Sequence, residues 1–201
     1  MNPDFIRPSK EAIALMPLFK GLASDKIIMV ADATTLSVAA EILADVTELG
    51  FDTESKPTFI KGEKSSGPHV IQLATGQYAF VFTPHFLPGI ALAISVLAAE
   101  NITKYGFGLS GDKKLFKRKF NADIKNTVDL AVVAKKAFAL KEAVGARAAV
   151  AILFKTRLAK SAQTSNWANY PLQQHQLKYA ADDAYVGFCV ARELKNLGLM
   201  V

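Results

Sequence analysis

Asp52 and Glu54 stand two apart in the stretch Gly50-Phe51-Asp52-Thr53-Glu54-Ser55. The preceding Val46-Thr47-Glu48-Leu49 begins to alternate and reads as the start of a buried strand. Strand side chains alternate between faces, so the two carboxylates must point the same way. Acids held side by side repel, and burying them is costly unless something cationic holds them. The natural occupant is a hard divalent cation, which takes oxygen ligands. An isolated Asp-x-Glu has a second reading, a strand end reaching solvent with both acids merely hydrated.

Three later residues could join them. Asp112 follows Phe107-Gly108-Leu109-Ser110-Gly111, just past a short strand and where a helix begins. There it could be a ligand, or an N-cap satisfying free amides at the helix start. Tyr179 and Asp183 lie in a helix whose apolar side reads Leu177, Ala180, Ala181, Ala184 and Phe188. Four residues apart, they stack on one helical face. The alternative is a surface aspartate beside a tyrosine that packs sideways. A helix turns about 100° per residue, so Asp182 cannot share that face and is free to pair with a base or cap a neighbour.

The elements that must position these groups can be read in order. Ser9-Lys10-Glu11 opens a helix to about Leu15, and Lys26 to Ala31 is a short strand. Thr34 or Thr35 caps a helix carrying Leu36, Ala39, Ala40, Leu43 and Ala44 at helical spacing. After the Asp52 strand, the polar cluster Lys61 to Pro68 leads into Val70 to Ala74, and Gly76 turns that strand into Tyr78 to Phe82. Helices over Leu87 to Glu100 and Asp112 to Phe120 then alternate with strands at Lys104 to Gly108 and Thr127 to Asp129. Helices over Leu130 to Phe138, Glu142 to Lys155 and Leu172 to Leu197 complete the chain. Early strands on short links followed by alternation predict an α/β fold, a mixed sheet with helices on its faces.

Composition narrows the classes. At 201 residues, 51% hydrophobic and 21% charged, the chain suits one globular domain and not a disordered segment. A net charge of +6 favours anionic partners. The lone Cys189 excludes an internal disulfide and a Cys-rich zinc site. Met1 to Lys10 has no apolar signal core, and the greasy run Phe86 to Ala99 is broken by Pro88, Gly89 and Ser95. The expectation is a soluble, cytoplasmic protein with no membrane partner.

Taken jointly, GFDTES, IQLAT from Ile71, YGFGLSGDKKLF from Tyr105, SNWANYPL from Ser165 and QLKYAADDAY from Gln176 resemble a known family. They are similar to the DEDD 3′–5′ exonucleases, in the branch with Tyr in its third motif. The resemblance covers roughly Thr35 to Leu197. It implies a ribonuclease-H-like fold and a catalytic set of Asp52, Glu54, Asp112, Tyr179 and Asp183, the four acids being metal ligands. The segment Val144 to Phe154 is richer in Ala than is usual for the family. The implied organisation is a single exonuclease domain over residues 1–201, without accessory domains, and with residues 1–8 as a flexible arm.

The implied chemistry is phosphodiester hydrolysis from the 3′ end of DNA or RNA, with single-stranded ends as the expected substrate. Two ions, Mg²⁺ or Mn²⁺, would stand about 3.5–4 Å apart. Asp52 would bridge both; Glu54 and Asp183 would complete the one holding the attacking water, and Asp112 would hold the other. Tyr179 would orient that water, because a phenol is a poor base at neutral pH. Lys113, Lys114 and Lys117, in a run with Arg118 and Lys119, are candidates for phosphate contacts, the alternative being a solvated helix face. Trp167 reads as packing under the last helix, the alternative being base stacking, and His69, His85 and His175 have no ligand spacing. A competing function is a nucleic-acid-binding module that kept the fold without turnover; the presence of all five motif residues argues against it.

Overall fold

The computed structural model describes residues 5–58, 62–159 and 162–200. Residues 1–4 of the predicted arm and Lys61 of the predicted turn cluster lie outside them.

The strands are β1 (Ile27–Val30), β2 (Glu48–Glu54), β3 (Val70–Ala74), β4 (Ala79–Phe82), β5 (Thr103–Gly106) and β6 (Thr127–Asp129). They form one six-stranded sheet in the order β1-β4-β3-β2-β5-β6. β3 runs antiparallel to both β4 and β2, while β1 pairs parallel with β4 and β2 with β5, which pairs parallel with β6. The mixed sheet flanked by helices is therefore present, and the Gly76 turn does close the β3–β4 hairpin.

The helices are α1 (Lys10–Leu15), α2 (Ala33–Ala44), α3 (Leu87–Ala98), α4 (Ser110–Phe120), α5 (Leu130–Ala137), α6 (Ala146–Phe154) and α7 (Gln174–Asn196). Alternation along β2 and β3 splits the core in two. Leu49, Phe51, Ile71 and Leu73 face a cluster with Leu43, Ile90, Leu97 and Phe116 from α2, α3 and α4. On the other face lie Val70 and Ala74, packed beneath α7 with Ala180, Ala181 and Ala184. α5 and α6 extend that second layer around Phe138, Val150, Val186 and Val190.

Local chemistry sets the boundaries. α2 is capped by Asp32 rather than by Thr34 or Thr35. The Thr35 amide donates to Asp32 Oδ1 at 2.8 Å, and the Asp32 amide donates back to Thr35 Oγ1 at 3.1 Å, a reciprocal capping box. α6 begins at Ala146 instead of near Glu142, because the Val144 amide is bonded to the Ala131 carbonyl and Gly145 starts the helix. Residues 5–8 of the predicted arm touch the body: Phe5 stacks on Phe138 with centroids 4.9 Å apart, and Arg7 lies 3.9 Å from Glu142. Trp167 is 1% exposed beneath α7, as its sequence context suggests. Cys189 is only partly buried.

Candidate active site

β2 and β5 are parallel neighbours, so their carboxyl ends lie together, and the acids gather there. In open α/β sheets this rim is where ligands bind. α7 crosses β2 closely enough that a Cβ on Gly50 would stand 1.9 Å from the Ala184 carbonyl oxygen. A Cβ on Gly187 would stand 2.7 Å from the Tyr105 carbonyl and 3.6 Å from Gly50 Cα. Only glycine fits either position.

That crossing sets the register of the site. Two strand residues advance about 6.6 Å, and one helical turn of four residues advances about 6 Å. Starting from Gly187 over Gly50, the next steps set Asp183 against Asp52 and Tyr179 against Glu54. One carboxylate oxygen from each of Asp52, Glu54 and Asp183 lies within 4.8 Å of the other two. Tyr179 donates its hydroxyl to Asp183 and packs on Trp167 with ring centroids 6.0 Å apart. Asp182 faces away and pairs with Lys178.

Asp112 reaches the rim from the other side of β2. It sits in the first turn of α4 rather than capping it, since Leu109 occupies the cap position. Its Oδ1 accepts from Thr53 Oγ1, from the residue between Asp52 and Glu54. The turn that launches α4 is held by Asp129, whose carboxylate accepts from the amides of Gly108 at 2.9 Å and Leu109 at 3.2 Å. Asp112 lies outside the three-acid group, but its charge is felt by both Asp52 and Glu54.

The electrostatics are those of buried acids with little counter-charge. Burial first, then the charges of Asp183, Asp112 and Glu54, push Asp52 well above the usual carboxylate range. Burial together with Asp183 and Asp112 raises Glu54 to about 8. Asp183 rises to about 6, chiefly through burial, with the Tyr179 hydrogen bond pulling the other way. Burial raises Asp112 too, partly offset by Thr53. Burial and the charges of Asp183 and Glu54 push the Tyr179 hydroxyl upward, so it remains a proton donor at neutral pH. No ion pair to Asp52, Glu54 or Asp183 exists among the described residues. A compact all-oxygen set with this much unshielded charge fits a hard divalent cation.

Beside the acids opens a cleft of about 500 Å³, lined by Asp52, Tyr179 and Asp183 on one side. Arg7, Lys10 and Arg147 line it elsewhere, and none of these three stands out in the sequence. Gln72 went unmarked as well. It is the cross-strand partner of Asp52, fully buried, and neither amide atom has a hydrogen-bond partner. Of the predicted lysines, Lys113, Lys114 and Lys117 are exposed on α4, and Lys117 pairs with Asp123 at 2.8 Å. Lys119 donates to the Pro68 carbonyl at 2.6 Å and Arg118 to the Ser65 carbonyl, which ties α4 to the loop before β3.

The fold is of the ribonuclease-H-like architecture, with its acids gathered at one rim of the sheet. The chain matches the family described as 3′–5′ exonuclease over residues 27–198, and it belongs to that family. It is 32% identical over 163 residues to the bifunctional 3′–5′ exonuclease/ATP-dependent helicase WRN of Mus musculus, covering 78% of this chain and 11% of that protein. Among solved structures, the Aedes aegypti Nibbler EXO domain aligns with a TM-score of 0.74 at 25% identity, over 89% of this chain and 93% of that one. Trypanosoma brucei RNase D in complex with RNA U12 shares the fold with a TM-score of 0.73 at 18% identity, over 85% of this chain and 64% of that one. The motif resemblance to the DEDD exonucleases is thereby borne out. The matched segment spans between about a tenth and about half of the curated relatives' length. No helix among the described residues is long and apolar enough to cross a membrane.

Proposed function

We propose that this chain, acting as a single domain, removes nucleotides one at a time from the 3′ end of single-stranded nucleic acid by metal-assisted hydrolysis. The observation that carries this reading is the convergence of Asp52, Glu54 and Asp183 within 4.8 Å beside Tyr179 and an open cleft, in a chain of the exonuclease family. Two divalent cations, Mg²⁺ or Mn²⁺, held by Asp52, Glu54 and Asp183 with Asp112 serving the second, would supply an activated water and a stabilised leaving oxygen. The protein's own groups do the rest. Asp52 and Glu54 share a strand face, so β2 fixes their separation, while α7 fixes Asp183 against them. Tyr179 keeps its proton, shares it with Asp183 only as a hydrogen bond, and packs on Trp167, so it positions neighbouring oxygens and does not act as a base. Lys113 and Lys114, exposed on α4, contact phosphates of the incoming strand, while Lys117 is engaged with Asp123.

The test uses 5′- and 3′-labelled DNA and RNA oligonucleotides incubated with Mg²⁺, with Mn²⁺ or with excess chelator. A ladder shortening stepwise from the 3′ end, absent in chelator, is the expected result. Undiminished cutting in chelator, or shortening from the 5′ end, overturns the reading.

A further inference from the structure

The acid cluster offers a phosphodiester no positive partner in the metal-free protein, so any grip on a polyanion there must come from cations lining the cleft. The cations that line the cleft, Arg7, Lys10 and Arg147, are not those of the α4 run. Arg147 stands in the first turn of α6, half-buried, and its Nη2 donates to Gln163 Oε1 at 2.8 Å. It pairs with no carboxylate among the described residues. A guanidinium carries five N–H donors in a planar fork, and the Gln163 contact aims that fork while leaving most of its donors free. Arg7, just before α1, and Lys10, at its start, bring two more positive charges to the same cavity; Arg7 has only a 3.9 Å contact with the exposed Glu142.

We propose that Arg147, oriented by Gln163 and assisted by Arg7 and Lys10, is the phosphate-gripping residue of the cleft, holding the backbone of a single strand whose 3′ end reaches the carboxylates. This rests on the exonuclease reading for where the 3′ end goes, and on the cavity alone for the grip. It assigns the N-terminal segment a binding role, as one wall of the cleft. Guanidinium and phosphate pair through two parallel hydrogen bonds, which a lysine cannot reproduce, so the grip discriminates between the two cations. The rival role for Arg147 is to shield Asp183, whose charge it offsets. Such a shield would alter affinity for the metal but would leave nucleic-acid binding in chelator untouched.

Binding is therefore measured in excess chelator, by fluorescence anisotropy of 5′-labelled single-stranded DNA and RNA at several salt concentrations. The proteins are the full chain, R147Q, R147K, the double variant R7Q/K10Q, and K135Q/K136Q on the exposed face of α5 as a control, each checked by thermal melting. R147Q is expected to weaken binding about tenfold and R147K to recover only part of that. The log–log salt slope should flatten by about 0.7 for each phosphate no longer neutralised, in R147Q and R7Q/K10Q but not in the control. Unchanged affinity and slope in R147Q and R7Q/K10Q overturn the proposal, as does a parent protein that binds neither oligonucleotide in chelator. Metal-dependent 3′ degradation with unaffected variants sinks the grip alone. Loss of binding in the variants, with no degradation by the parent, leaves the grip standing and sinks the exonuclease reading.

Discussion

Raising the pH of the metal-free protein should weaken its fold, and a divalent cation should reverse the effect. Glu54 moves from an ordinary 4.5 to about 8 in the folded chain, and Asp183 from 3.8 to about 6. Between pH about 3.8 and 8 the folded protein therefore binds more protons than the unfolded one. Stability is complete below that window and is lost as pH rises through it. Glu54 alone sets a ceiling of about 5 kcal/mol at pH 8, and water reaching the partly exposed cluster reduces the expected loss to about 2–3 kcal/mol. A cation needs the same oxygens unprotonated, so its stabilisation should be small at pH 5 and large at pH 8. At a hundred times its dissociation constant it contributes about 2.7 kcal/mol, enough to cancel the loss. Urea unfolding at pH 5, 6.5 and 8, with Mn²⁺ or with chelator, measures both trends (about 1–3 kcal/mol per M in urea sets the scale). A metal-free stability flat across that range, or a metal effect equal at pH 5 and pH 8, would refute the assignment of uncompensated charge to this cluster.

Three more outcomes follow from the geometry. Asp183→Asn should lower kcat by about a thousandfold or more with a preserved circular dichroism spectrum, Asp182→Asn should lose far less, and Tyr179→Phe should fall between them at about ten- to a hundredfold; a dead Asp182→Asn beside a tolerated Asp183→Asn would mean the α7 face is misassigned. Gly50→Ala should push α7 off β2 and cost about 3 kcal/mol or more, with activity falling further than stability; unaltered metal binding in this variant would disprove the close-contact origin of the site. Gln72→Leu, which removes a buried amide with no partner, should stabilise the metal-free protein by about 1–2 kcal/mol in urea melts, and a destabilised variant would show that the amide is satisfied.

Much of the site could be read from local pattern. Asp52 and Glu54 share a face because a strand alternates, and Tyr179 and Asp183 do because a helix repeats; neither needs tertiary information. Asp182 pairing with Lys178 follows from the same helical arithmetic. Long-range contacts were not legible. Gly50 and Gly187 look like ordinary small residues until α7 lies on β2, although their contact sets the spacing of the acids. Asp112 could be a ligand or a helix cap on local pattern alone, and what removes it from the cap is Asp129, far along the chain, which holds the turn that starts α4 early. Arg147 hides in an Ala-rich segment with no charge pattern, and only the cavity shows where it sits. The sequence points to Thr34 or Thr35 as the α2 cap, whereas the cap is Asp32, with Thr35 as its reciprocal partner one turn along.

The two walls of the cleft differ in how firmly they are anchored, with a consequence for motion. Asp52 and Glu54 belong to a central strand, and Asp183 and Tyr179 to a helix of 23 residues, ten of which are buried. Their amides should exchange with solvent only when the whole fold opens. α1, which brings Lys10, has six residues and no buried side chain, and its Leu15 is 89% exposed. It should peel away at small cost in free energy and exchange its amides quickly. The cleft can thus part along the α1 side while the carboxylates hold their positions.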